Sequence, residues 1–223
     1  LPLYNTGKLF GKGLAVIHCL LVDSGEGLIL VDTGYGRHDY TEPARMVRLY
    51  SKVTNLEGNI HQSAVHQIRA LGYEPSDVKH IFLTHMHLDH SGGFPYFPSA
   101  QVHVYEKEFE AALHKRGLAG LPYIQQHWAH HPEWVIHKLQ GETWHGLERT
   151  QIFTIGQVKA FLLPMLGHSP GNSAVVIRLP HGRYYLHAGD IYGYHGMVDP
   201  GGPFAPRFQW LFRPLFRLYP LTR

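Results

Sequence analysis

One cysteine, Cys19, stands among the 223 residues of the chain, and this scarcity excludes several kinds of protein. An intrachain disulfide needs two cysteines, and structural zinc sites usually use several. Cys19 lies in the apolar run 14–22, where we expect a small buried side chain and not a nucleophile. Neither a disulfide-stapled scaffold nor a cysteine-rich zinc fold therefore fits this chain.

Charged residues and long apolar runs are also scarce. Charged side chains make up 17% of the sequence, and the net charge is +3 without a run of basic residues. The sequence therefore shows no basic cluster of the kind that binds nucleic acid. No stretch is long enough to cross a membrane, and no core of a signal peptide is present. We therefore expect a globular cytoplasmic protein without a nucleic-acid partner or a transmembrane segment. Because the chain begins at Leu1 and not at a methionine, a removed leader is the alternative.

Histidine, in contrast, is abundant, with 19 residues. Four potential metal ligands, His85, His87, Asp89 and His90, fall within six residues. Neutral imidazole and carboxylate groups bind Zn²⁺ and its first-row neighbours, whereas such a dense cluster is costly elsewhere. Without a second cysteine to close a structural site, the cluster predicts a catalytic metal centre. We expect other histidines on the surface or on helix faces, namely His61, His66, His80, His103, His114, His137 and His181.

Short apolar runs between turn residues predict a mixed α/β chain. Strands that alternate with helices indicate a layered sandwich, and the turn residues at 23–27 make the first two strands a hairpin. We expect strands at 14–21, 28–31, 79–83, 102–105, 151–155, 158–163, 173–179 and 183–187, and helices at 60–71 and 106–115.

The segment 117–145 differs from the rest because aromatic residues and histidines occur there among prolines and glycines. It is either the wall of a substrate pocket or an irregular connection over the core. In the first case Tyr123, Trp128 and Trp134 are the candidate pocket residues.

Two further candidate ligands follow strands in the second half. His168 lies in the sequence Gly-His-Ser-Pro-Gly after the strand that ends near 163, and Asp190 follows Gly189 after the strand at 183–187. Alone, each would be an ordinary turn residue. In combination with the cluster at 85–90 they indicate a larger metal centre.

The segments 31–34, 85–90, 167–171 and 189–190, in this order and spacing, resemble the metallo-β-lactamase superfamily, and the resemblance covers residues 14 to 192. It implies a four-layered αββα sandwich with a dinuclear metal site at one sheet edge. By this likeness the first metal is held by His85, His87 and His168 and the second by Asp89 and His90, while Asp190 bridges both and Asp32 orients the ligands.

The resemblance leaves one ligand unaccounted for. The family normally supplies a further histidine to the second metal from well beyond the bridging aspartate. His195 is the only histidine after Asp190, and it lies too close to Asp190 in the sequence to reach the second metal. We therefore expect a single metallo-β-lactamase-like domain over residues 1–223 that lacks its C-terminal end. The alternative is a shortened homologue that binds one metal or has lost activity.

The resemblance also implies hydrolysis. Two divalent cations, Zn²⁺ first and Fe, Mn or Co as alternatives, would activate a bridging water and polarise a substrate carbonyl. Asp89 would carry the proton to the leaving group. Tyr192 and Tyr194 are candidate catalytic donors to the developing oxyanion, or else packing residues.

Within the superfamily the pattern is most similar to the N-acyl homoserine lactonase branch, which implies a small-molecule substrate with an apolar acyl part. Glyoxalase II-like thioesterases usually carry a histidine where this chain has Asn172, and β-lactamases are the other hydrolytic alternative. A metal-binding homologue without turnover is the alternative of a different class. The apolar spacing from Phe208 to Phe216 is compatible with a homodimer contact, a pocket cover, a membrane surface or core packing.

Overall fold

The computed structural model describes residues 16–54 and 58–192, and their backbone forms two main β-sheets. β1 and β2 of the first sheet form the predicted antiparallel hairpin, and the remaining three strands add to it in parallel. The strands lie in chain order: β1 (Leu20–Asp23), β2 (Leu28–Val31), β3 (Val78–Phe82), β4 (Gln101–Tyr105) and β5 (Glu133–His137).

The second sheet is antiparallel, and a separate hairpin precedes it. The hairpin is β6 (Leu139–Trp144) with β7 (Leu147–Thr150), and the sheet is built, in chain order, from β8 (Phe153–Ile155), β9 (Val158–Pro164), β10 (Ser173–Arg178) and β11 (Tyr184–His187). The helices are α1 (Arg37–Thr41), α2 (Arg45–Thr54), α3 (Ala64–Ala70), α4 (Leu88–Ser91) and α5 (Glu106–His114). None of these described helices has the length and apolar character that a membrane crossing requires.

Apolar side chains on both faces of the first sheet build two cores. Ile29 and Val31 of β2 pack against the second sheet, where Val175 and Ile177 of β10 meet them. Leu30 points to the opposite face and packs in the cluster that α3 and α5 complete. Because both faces are covered, β2 is buried at every position, as is usual for a strand with a parallel neighbour.

The layer order is helix, sheet, sheet, which confirms the mixed α/β class. The outer face of the second sheet carries a further apolar cluster that includes Phe161 and Val176. Within residues 16–54 and 58–192, the side chains of Trp144, Met165 and Ile191 pack against this cluster, and no α-helix of that part of the chain does so.

The segment 117–145 contains more regular structure than we expected from the sequence. β5 extends the first sheet as its edge strand, and β6 begins the next hairpin. Trp128 is buried in the core on the helix side, and Trp134 packs edge-on against Phe94 and Phe109. Neither of the two alternatives for this segment included β5 and β6, so neither strand was predicted from the sequence. β5 is an edge strand in which only the last residue is buried, so it lacks the continuous apolar run that marks β2 in the sequence.

The helix predicted at 60–71 is divided. A 3-10 turn at Ile60–Gln62 is followed by α3, and Ser63 between them has extended backbone angles, with φ −65° and ψ 145°. The Ser63 hydroxyl donates to the carbonyl oxygen of Ile60 at 2.7 Å, so its side chain closes the turn. The other predicted elements lie within a few residues of their expected bounds, except that β1 begins at Leu20. The sequence did not predict β7, α1, α2 or α4.

Three histidines that we expected at the surface instead form a chain between the sheets. His80 Nδ1 lies 3.0 Å from His103 Nε2, and His103 Nδ1 lies 2.9 Å from His137 Nε2. His103 is fully buried, and its ring stacks on Phe82 with a centroid distance of 4.1 Å. The surface prediction is therefore wrong for His103 and His137, because neighbouring strands bring these histidines together.

Candidate metal centre

The predicted ligands meet at one edge of the two sheets. Asp32 follows β2 and the segment 84–90 follows β3, and these strands are parallel, so their carboxyl ends lie at the same edge. His168 follows β9 and Asp190 follows β11. Both strands run antiparallel to β10, so they too end at one common edge.

Asp32 is fully buried and connects two parts of the ligand segment. Its Oδ1 accepts a hydrogen bond from the backbone amide of Thr84 at 2.8 Å. Its Oδ2 accepts from the Thr84 hydroxyl at 2.7 Å and lies 2.8 Å from Nδ1 of His90. This is the contact expected of a residue that orients a histidine ligand.

The same network assigns the protonation of His85. The Thr84 hydroxyl donates to Asp32 and therefore accepts from Nδ1 of His85, 3.0 Å away. The proton then lies on Nδ1 and the lone pair on Nε2. His85 is fully buried, and within the described part of the chain its Nε2 has no hydrogen-bond partner. A buried polar atom of this kind needs a partner, and a metal ion would provide one.

The ligand atoms converge in two groups that share His85. His85, His87 and His168 each offer one atom within 4.8 Å of the others, and His85, His90 and Asp190 do the same. Nδ1 of His87 lies 3.0 Å from Nε2 of His168. Asp190 places Oδ1 at 3.4 Å from His90 Nε2 and Oδ2 at 3.3 Å from His168 Nε2, so its carboxylate spans the two groups.

Burial and charge favour the metal-binding forms of His85, His87 and Asp190. Burial, reinforced by the neighbouring histidines, lowers the pKa of His85 and of His87 well below the usual range, so both rings are neutral. Burial alone would raise the pKa of Asp190, but the hydrogen bond and charge of His90 outweigh it and lower the pKa to about 2. Neutral imidazoles and a carboxylate are the ligand forms that bind divalent cations.

His90 differs from these ligands, because its pKa is raised well above the usual range. Burial alone would lower this pKa, but the neighbouring carboxylates outweigh it, namely those of Asp32, Asp89 and Asp190. A metal would therefore have to displace a proton at His90.

The donor set therefore fits a divalent metal centre, and the comparison with protein families agrees with it. A family model of the metallo-β-lactamase superfamily matches residues 13–210. The chain belongs to the metallo-β-lactamase superfamily. The similarity predicted from the segments 85–90, 167–171 and 189–190 is thus confirmed at the level of the superfamily.

Relatives within the superfamily are similar over most of the chain. A probable metallo-hydrolase of Mycobacterium tuberculosis is 39% identical over 197 residues, which are 87% of this chain and 63% of that protein. The N-acyl homoserine lactonase AiiA of Bacillus thuringiensis subsp. kurstaki is 30% identical over 180 residues, which are 78% of this chain and 63% of the lactonase. The chain thus spans about 63% of the length of these two curated relatives.

Solved structures of superfamily members are similar in fold. An N-acyl homoserine lactone hydrolase with the product N-hexanoyl-L-homoserine bound at its catalytic metal centre has a TM-score of 0.62 and 25% identity, covering 97% of this chain and 82% of that chain. A mutant of B. thuringiensis AiiA with N-decanoyl-L-homoserine bound has a TM-score of 0.60 and 25% identity, covering 91% and 76%.

The remaining predicted site residues lie around the two groups or outside the described residues. Oδ2 of Asp89 is 3.9 Å from Nε2 of His90, and Asp89 belongs to neither group. Tyr192 is 41% exposed. The ring centroid of Tyr123 lies 5.1 Å from that of His87. Outside the described residues lie Tyr194, His195 and the apolar pattern from Phe208 to Phe216.

Two residues of this superfamily site were not assigned from the sequence. Thr84 connects Asp32 to His85, and Glu108 accepts hydrogen bonds from the loops that carry the histidine ligands. The position of Thr84 directly before the cluster was a usable signal. For Glu108 the helix pattern alone does not distinguish a buried carboxylate from a solvated one.

Proposed function

We propose that this superfamily member is a metal-dependent hydrolase that opens the lactone ring of N-acyl homoserine lactone-type substrates. The observation that carries the proposal is the pair of ligand groups that share His85, because nitrogen and carboxylate atoms converge there and Asp190 spans both groups. We assign His87 and His168 to the first metal and His90, with Asp89 beside it, to the second.

Two bound divalent cations, Zn²⁺ in the first instance, would supply polarisation of the lactone carbonyl and a water of lowered pKa. The residues of the chain would orient the ligands and transfer the proton. Asp89 would take the proton of the attacking water at a carboxylate oxygen and deliver it to the alkoxide that leaves when the ring opens. Tyr192, two residues after Asp190, would donate a hydrogen bond from its hydroxyl to the developing oxyanion, and Tyr194 is the alternative donor.

The substrate class is supported by the relatives and by one contact of this chain. Lactonases are among the relatives, and one structural neighbour carries N-hexanoyl-L-homoserine at its catalytic metal centre. The ring of Tyr123 lies beside His87, so the segment 117–145 reaches the metal centre and would contact an acyl chain there. Trp128 and Trp134, which pack in the core, would support this wall from behind.

Three expectations stay predictions within this proposal. The first is a second metal, and the second is a domain that continues beyond residue 223 and supplies the further histidine ligand. The third is a homodimer. A homologue that binds one metal, or binds metal without turnover, is the competing interpretation.

A metal count combined with a substrate panel tests the proposal. We expect about two metals per chain, and faster hydrolysis of N-acyl homoserine lactones than of thioesters, β-lactams or phosphodiesters. His85→Ala removes the shared ligand, so hydrolysis and metal content should both fall. His61→Ala, at an exposed histidine, is the matched control and should change neither.

Each contrary result has its own meaning. Two metals per chain without turnover of any carbonyl substrate would contradict the lactonase assignment. Fewer than two metals without hydrolysis of any member of the panel would favour the metal-binding homologue.

A further inference from the structure

We propose that Glu108, a residue of α5 outside the ligand set, is a positioning residue that holds the two histidine-bearing loops of the metal centre at a fixed distance. The inference rests on the proposed metal-dependent function. It concerns a residue that fixes the position of the metal ligands without binding the metal itself. It is carried by the hydrogen bonds of one buried carboxylate.

The carboxylate of Glu108 is fully buried and accepts four hydrogen bonds. Its Oε1 accepts from the backbone amide of Met86 at 2.9 Å and from the hydroxyl of Tyr123 at 3.2 Å. Its Oε2 accepts from the hydroxyl of Ser169 at 2.6 Å and from the backbone amide of Gly171 at 3.0 Å. A carboxylate has about four acceptor positions, so these donors use its whole capacity.

These four donors belong to segments that also hold or contact metal ligands. Met86 lies between the first two histidine ligands, and Ser169 directly follows His168. The ring of Tyr123 lies 5.1 Å from that of His87. The carboxylate therefore connects the loop after β3 with the loop after β9, and it does so next to the point where His87 Nδ1 and His168 Nε2 approach to 3.0 Å.

The loop after β9 also packs closely against α5. A Cβ atom added to Gly171 would lie 2.6 Å from Cα of Glu108, so only a glycine lets the loop approach the first turn of the helix so closely. If the carboxylate were removed, its four donors would lose their acceptor. Because the site is buried, water would not replace all of these hydrogen bonds. The loops would then separate or rotate, and the ligand nitrogens would move with them.

Glu108→Gln tests the proposal through metal affinity. The amide oxygen can still accept from one pair of donors, but the NH₂ group would face the other pair, so that loop would be released. We expect the metal dissociation constant, measured by competition with a chromophoric chelator, to rise roughly 10- to 100-fold. The visible absorption spectrum of the Co²⁺-substituted protein should change as well. Glu108→Asp keeps the carboxylate on a shorter side chain, so we expect an intermediate effect.

Glu110→Gln is the matched control, because Glu110 is exposed on the same helix, and it should bind metal as the wild type does. The melting temperature with and without metal separates positioning from general stability. Metal binding raises stability by an amount that grows with affinity, so the gap between the two temperatures should shrink in Glu108→Gln. An equal fall of both temperatures with an unchanged dissociation constant would overturn the proposal.

Three further results are informative. If Glu108→Gln does not fold, Ser169→Ala removes one of the four donors with less disturbance, and a wild-type metal affinity in that variant would contradict the proposal. A wild-type protein that binds no metal would overturn both this inference and the proposed function. A wild-type protein that binds metal but opens no lactone, while Glu108→Gln binds metal weakly, would overturn only the substrate assignment.

Discussion

Asp32 combines an unusual backbone with a central role at the metal centre. Its φ is 54°, in the left-handed region that aspartate and asparagine tolerate better than most residues. The side chain accepts from the amide and hydroxyl of Thr84 and contacts His90. The turn after β2 therefore positions a carboxylate that orders both ends of the ligand segment.

Replacing Asp32 by asparagine tests this role without adding backbone strain, since asparagine also tolerates a positive φ. The amide has one acceptor oxygen, and its NH₂ group would face donors, so the contact to His90 should be lost. We expect metal affinity to fall roughly 10- to 100-fold in a chelator competition. Asp23→Asn, at an exposed position in the same hairpin, is the control. Wild-type affinity in Asp32→Asn would show that the contact is dispensable.

At the scale of an element, the loop after β11 depends on close packing against the loop after β3. Gly189 has a φ of 54°, and a Cβ atom there would lie 2.6 Å from Cβ of Thr84. Any side chain at this position would push the loop away from Thr84. Because Asp190 is the next residue, the displacement would act directly on the carboxylate that spans the two ligand groups.

Gly189→Ala and Gly182→Ala separate backbone strain from this packing. Gly182 also has a positive φ, 85°, but a Cβ atom there meets nothing within 4 Å among the described residues. Gly182→Ala should lose about 1 kcal/mol of stability in urea unfolding, because alanine disfavours the left-handed region. Gly189→Ala should lose more, because its Cβ atom would also clash with Thr84. Only Gly189→Ala should also lose metal affinity in a titration. Equal metal binding by the two variants would contradict the packing argument.

At the scale of the whole molecule, a row of three hydrogen-bonded histidine side chains lies between the two sheets. His80, His103 and His137 come from the neighbouring strands β3, β4 and β5, and Phe82 and Phe153 surround them. Burial lowers the pKa of His103 to about 2 and that of His137 to about 4. These rings are therefore neutral in the folded protein and have to gain protons when the core opens in acid.

The sign of the resulting pH dependence follows from linkage. An unfolded histidine has a pKa of about 6.5, above the folded values for His103 and His137. The unfolded state therefore binds more protons below pH 6.5, and the free energy of unfolding falls as the pH falls. Each neutral histidine contributes a slope of about 1.4 kcal/mol per pH unit there.

Urea unfolding of the wild type and of His103→Asn, measured between pH 7 and pH 5, checks this prediction. We expect a shallower loss of stability in the variant over this range, because one buried neutral histidine is gone. His61→Asn removes an exposed histidine and should keep the wild-type slope. Identical slopes for the wild type and His103→Asn would contradict the prediction.

Local sequence patterns were sufficient to predict an element where a short apolar run between turn residues marks it. The hairpin of β1 and β2, the buried strand β3 and the antiparallel strands β8 to β11 all followed from short apolar runs between turns. The pattern failed for β5, an edge strand whose residues are mostly only partly buried, so that no continuous apolar run marks it. It also failed to predict α1 and α2.

The sequence by itself determined the superfamily of this protein and its candidate metal ligands. His85, His87 and His90 lie within six residues, and His168 and Asp190 follow predicted strands. Residue type and spacing mark them as candidate ligands, and the resemblance to the superfamily implies their roles. Only the tertiary structure decided that Glu108 accepts from both histidine-bearing loops and that His103 is buried between the sheets. These contacts join residues from different elements. They depend on strand order and loop packing, which spacing along the chain does not specify.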